Sequence, residues 1–71
     1  MVIGEKIREL RKAKGLSQEK LAEKIGATIN DISNWEREKY EPRVFFLVCL
    51  AEFFNISLDE LCCRDFKGDA E

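Results

Sequence analysis

Apolar residues recur at helical spacing along most of this chain, in stripes broken by glycine, proline and capping residues. Ile3, Ile7 and Leu10 form the first stripe, which predicts a helix from about Ile3 to Lys14 that stops at Gly15. Leu21, Ile25, Ala27, Ile32 and Trp35 form a second stripe on either side of Gly26, at the inward positions of two short helices. Val44, Leu47, Leu50, Ala51 and Phe54 mark a fourth helix that starts just after Pro42 and ends near Asn55. Ser57 with Glu60 then forms a capping box for a short fifth helix burying Leu58 and Leu61. Strands are poorly signalled, and the chain reads as all-α.

The run Gln18 to Arg37, QEKLAEKIGATINDISNWER, carries the most information. Two helices crossing at a steep angle need a residue that tolerates a left-handed backbone where the first one ends, and Gly26 stands there. Ala22, four residues earlier, lets the second helix approach closely. Ser17 caps the first helix and has Glu19 in the opening turn, where the helix dipole favours an acid. Thr28 caps the second, with Asp31 as its capping-box partner. Small residue, glycine, cap and hydrophobics at these offsets predict a helix-turn-helix.

Laid on a wheel at about 100° per residue, Ile29, Ser33, Arg37, Asn30 and Asn34 occupy a continuous arc of roughly 140°. Ile32 and Trp35 point the opposite way, and Asp31 and Glu36 fall outside the arc. The outward surface thus carries amides, a hydroxyl, one apolar group and one cation, without an acid. Those types suit base edges: asparagine pairs with adenine N6 and N7, serine donates or accepts, and isoleucine touches a thymine methyl. Gln18 at its helix N-terminus, with Lys39 and Arg43 flanking the motif, is placed to hold phosphates. The candidate DNA-binding set is therefore Gln18, Thr28, Ile29, Asn30, Ser33, Asn34, Arg37, Lys39 and Arg43.

Charge complicates this picture. Lysine and arginine number 12 against 14 acids, a formal net charge of −2, whereas a duplex is gripped largely by cations. Enzyme chemistry has no foothold: there is no histidine, no glycine-rich phosphate loop and no carboxylates clustered at metal-ligand offsets, so no catalytic residue, metal or cofactor is expected. Three cysteines without CxxC spacing make no ordinary zinc site and fit a reduced compartment. Cys62 is expected to pack beside Leu58, with a redox role for Cys62 and Cys63 as the minor alternative. No signal peptide or membrane-length apolar segment is visible, and the expected location is cytoplasmic. At 71 residues the chain is expected to be one domain, residues 1–66, with a disordered tail at 67–71 and no room for a separate sensor.

The match to a known family extends beyond the motif. IGEKIRELRKAKGLSQEKLAEKIG, ISNWER and LAEFFNISLDEL resemble the lambda-repressor-like helix-turn-helix family, also called the xenobiotic-response-element type, across roughly residues 3–61. The resemblance implies a compact five-helix DNA-binding domain, usually a homodimer on an inverted repeat, in a transcription regulator. It implies DNA contacts at the positions of Gln18, Ile29, Asn30 and Asn34, and a structural ion pair between Arg11 and Glu36. The chain departs from the family at Glu38, where glycine is common, and at Tyr40 and Glu41, where small or basic residues are. Two carboxylates near the phosphate path should lower affinity.

The fourth helix is unusual. Phe45, Cys49, Phe53 and Phe46 fill a second arc of about 100° that is expected to point outward, where the family has mostly polar residues. Three exposed phenylalanines exceed the apolar patch a soluble monomer tolerates, so this arc is expected to be a dimer interface in which the helix meets its copy. Phe66 is a candidate for covering part of it. The function expected is sequence-specific double-stranded DNA binding by a small dimeric transcription regulator. The alternative is a protein-interaction module on the same fold, antitoxin-like, with weak or lost DNA binding; its acidic surface and aromatic helix would serve a protein partner.

Overall fold

The computed structural model describes residues 3–62, which form five helices: α1 (Ile3–Ala13), α2 (Gln18–Ile25), α3 (Ile29–Glu36), α4 (Val44–Phe54) and α5 (Leu58–Cys62). Among the described residues there is no strand. The expectations placed on the Cys62 side chain, Cys63, Phe66 and the tail 67–71 lie outside the described residues. No described helix is long and apolar enough to cross a membrane.

The stripes read from the sequence meet in one core. Ile3 and Ile7 of α1, Leu21, Ala22 and Ile25 of α2, Ile32 and Trp35 of α3, Leu50, Ala51 and Phe54 of α4, and Leu61 of α5 are buried together. α3 packs on both α1 and α2, while α4 lies on α2 and α5, so α3 is held from behind by two elements. Leu10 is only half-buried at the rim. Leu58 departs from expectation: it is exposed, because in so short a helix Leu61 takes the inward position and Leu58, about 60° round, is left outside.

Helices α1 to α4 end in a common way, by a residue in the left-handed region whose successor's N–H returns to a carbonyl five residues earlier. Gly15 ends α1, with Leu16 N–H donating to the Arg11 carbonyl at 3.0 Å, and Gly26 ends α2, with Ala27 N–H donating to Ala22 at 2.9 Å. Asn55 ends α4 and sends Ile56 N–H to Ala51 at 3.0 Å. α3 closes identically, Lys39 N–H reaching Asn34 at 2.9 Å, but the left-handed residue is Glu38 at φ 63°. A glutamate at this position carries a steric penalty that glycine avoids. Its neighbour across the fold is Gly4 of α1, where an added Cβ would overlap the Trp35 carbonyl oxygen and lie 2.9 Å from Glu38 Cγ. Glycine at position 4 lets α1 lie directly against the closing turn of α3.

Candidate nucleic-acid interface

α3 is defined at its start and anchored along its back. Thr28 Oγ1 accepts from Asp31 N–H at 3.1 Å while Asp31 Oδ2 accepts from Thr28 N–H at 3.3 Å, a complete capping box. At the start of α2, Ser17 Oγ accepts from Lys20 N–H at 3.0 Å. Ile32 is fully buried, Trp35 is 2% exposed and Glu36 5%. Facing away from them, Ile29, Asn30 and Arg37 are exposed, and Ser33 and Asn34 are half-buried on the same side.

Glu36 is the sole charged residue in the buried set among the described residues, and its carboxylate is fully engaged. Arg11 Nε donates to Glu36 Oε2 at 2.6 Å and Arg11 Nη2 to Oε1 at 3.0 Å, a two-pronged pair spanning α1 and α3. Gln18 Nε2 adds a third bond to Oε1 at 3.1 Å, and Arg11 Nη1 donates to the Leu16 carbonyl at 2.8 Å. The hydrogen bond to Glu36 raises the Arg11 pKa above its ordinary value, against an opposing effect of burial, so the guanidinium stays charged. Replacing one partner strands the other charge in a dry site, which is why such a pair fixes geometry more than it adds net stability. Gln18, placed by sequence at a phosphate, is thus tied first to the back of α3. Its carbonyl oxygen and second amide proton remain.

A second network runs across the outer side of α3. Arg37 Nη2 donates to Asn34 Oδ1 at 3.2 Å, Asn34 Nδ2 donates to Tyr40 Oη at 3.2 Å, and Tyr40 donates to Asp31 Oδ1 at 3.3 Å. Asp31 lies off the outward arc, yet it is connected to that arc through Tyr40. The sequence reading placed Tyr40 only as a family departure. A wheel cannot find it, because the left-handed turn at Glu38 leads the chain out of α3 before Tyr40 is reached. Lys39 and Arg43 are exposed and make no ion pair among the described residues, as a phosphate contact requires; Glu38, just before Lys39, and Glu41, between the two cations, are exposed as well.

The outer side of α4 differs from expectation. Val44, expected in the core, is 71% exposed, and Phe45 is 64% exposed with Val48 beside it on the same side. Phe46, Cys49 and Phe53 are half-buried against the core rather than presented to solvent. The cause is aromatic packing: Trp35 holds the Phe46 ring at 5.3 Å between centroids, and Phe53 packs edge-on to Phe54 at 5.1 Å with Lys14 Nζ 5.7 Å above its ring. Together they extend the inward side of α4 to include Phe46 and Phe53. Among the described residues the exposed apolar side of α4 is therefore Val44, Phe45 and Val48.

A sharply turned helix pair, backed by three other helices and presenting an amide-rich outer face, defines a helix-turn-helix domain. The helix-turn-helix family's sequence profile matches residues 7–61, and the chain belongs to this lambda-repressor-like family. It is 41% identical over 61 residues to the HTH-type transcriptional activator BcrR of Enterococcus faecalis, covering 86% of this chain and 30% of that protein. It is 34% identical over 65 residues to the HTH-type transcriptional regulator ImmR of Bacillus subtilis, covering 92% of this chain and 51% of that one. The chain thus spans between about a third and about half of the length of these curated relatives. Among solved structures, the P22 c2 repressor in complex with a synthetic operator superposes with a TM-score of 0.84 at 34% identity, over 92% of this chain and 98% of that one.

Proposed function

We propose that this chain binds double-stranded DNA sequence-specifically, with α3 in the major groove, and serves as a transcription regulator. The observation that carries the reading is the outer face of α3. Asn30, Ser33, Asn34 and Arg37 project from one capped helix whose back is locked by Trp35 and by the Arg11–Glu36–Gln18 cluster. Rigid placement matters because base readout requires donors and acceptors in fixed positions, whereas phosphate contacts are tolerant. Ile29, 50% exposed at the head of α3, meets a thymine methyl; Thr28 and Gln18, each at a helix start, with Lys39 and Arg43, hold the backbone. The regulator names carried by BcrR and ImmR, and the operator bound by the P22 c2 repressor, support the same reading.

The protein acts as a homodimer in this proposal. Val44, Phe45 and Val48 form the centre of the contact, with Phe46, Cys49 and Phe53 supporting them from the half-buried side. A two-fold axis through α4 would present two copies of α3, and a spacing of about 34 Å would seat them in successive major grooves of an inverted repeat. Selection of bound duplexes from a random library, repeated at raised salt, tests the whole reading. A two-fold symmetric consensus supports it. Binding without sequence preference overturns it in favour of a protein-interaction module, a role to which the exposed Glu38 and Glu41 are suited.

A further inference from the structure

Tyr40 lies outside α3, yet its hydroxyl is hydrogen-bonded to the side-chain amide of Asn34 on the outer face of that helix. A phenol has one proton and an oxygen that accepts, a carboxylate only accepts, and a guanidinium only donates. Asp31 Oδ1, 3.3 Å from Tyr40 Oη, therefore takes the phenolic proton. The oxygen of Tyr40 is left as an acceptor, and Asn34 Nδ2 fills that role at 3.2 Å. On the other side Arg37 Nη2, 3.2 Å away, requires an oxygen, and Asn34 Oδ1 supplies it. Both neighbours demand the same orientation. A flipped amide would set its NH2 against the Arg37 donor and its oxygen against a hydroxyl whose proton is already committed.

The asymmetry originates in the capping box. Asp31 is held at the head of α3 by Thr28 N–H on Oδ2, so the acceptor that sets the direction of the chain is itself fixed. Beyond these two bonds the Asn34 amide has a second N–H and a second lone pair, and their order is imposed. That pair matches the N7 acceptor and N6 donor of adenine in one direction only. We infer that Tyr40, held by Asp31, is a positioning residue that fixes the direction in which Asn34 reads a base pair, giving preference for adenine at one defined position of each half-site. The inference rests on the proposed DNA reading and goes beyond it by naming the base and the residue outside the helix that selects it.

The test compares full-chain wild type, Tyr40→Phe, Asn34→Ala and the double variant on duplexes substituted at each position of the selected site. Wild type should prefer adenine at the position that Asn34→Ala flattens. Tyr40→Phe should weaken that preference on the order of fivefold and leave the other positions and the salt dependence unchanged. It should add nothing in the Asn34→Ala background. A consensus that persists unaltered in Tyr40→Phe, or an equal loss at every position, overturns the role of Tyr40 while leaving DNA reading intact. A wild type that selects no consensus overturns both. Because Tyr40 is half-exposed, the variant should fold, and a thermal melt matching wild type separates positioning from support.

Discussion

The outer faces of α3 and α4 are both exposed, and they are built on opposite principles. On α3, Asn34 and Arg37 are joined to Tyr40 and Asp31 by directed hydrogen bonds, so each donor and acceptor has a position and a sense. On α4, Val44, Phe45 and Val48 offer area without direction; the Phe45 ring packs edge-on against its neighbour Phe46, at 5.2 Å. Hydrogen bonding rewards one geometry steeply, whereas apolar burial rewards contact of almost any orientation. A face of the first kind discriminates between ligands. A face of the second kind suits the proposed contact between two copies, which leaves discrimination to the first.

The contrast is most strongly tested by releasing the anchor behind α3. Arg11→Ala leaves Glu36 buried without its cation and should destabilise the domain by about 2–4 kcal/mol, read from chemical denaturation. A midpoint equal to wild type would mean that α3 is not set by this cluster. Gly4→Ala sets a methyl against the carbonyl of Trp35 and should cost about 1–3 kcal/mol, despite alanine's better helix propensity. Phe45→Glu acts on the other helix and should weaken self-association at least tenfold, about 1.4 kcal/mol, in light scattering at tens of micromolar, with the melt of the monomer little changed. A wild type that is already monomeric there would remove α4 from the assembly. Smallest is Glu38→Gly, which relieves the left-handed glutamate and should stabilise by about 0.5–1 kcal/mol, while removing an acid beside Lys39.

The two faces were unequally legible in the sequence. Local signals placed α3 well, because the cap at Thr28, the turn at Gly26 and the inward Ile32 and Trp35 all lie within a few residues of the arc they define. The arc on α4 came out rotated, because its direction is decided by contacts distant in sequence. The ring of Trp35 draws in Phe46, and Lys14 covers Phe53, so residues that a wheel treats as outward become half-buried. Val44 went the other way: as the first residue of α4 it stands 71% exposed. Tyr40 was invisible for a third reason. Periodicity stops at a left-handed residue, and glutamate at position 38 does not announce one as glycine does.

Under the proposed dimeric reading, the Val44–Phe45–Val48 strip, exposed among the described residues, has a consequence for cellular dosage. If pairing precedes operator capture, then at low abundance the occupied fraction of a promoter grows with the square of protomer number, and halving synthesis lowers it about fourfold. A chain that couples itself in this way acts as a threshold meter, with no effector molecule needed to sharpen its response.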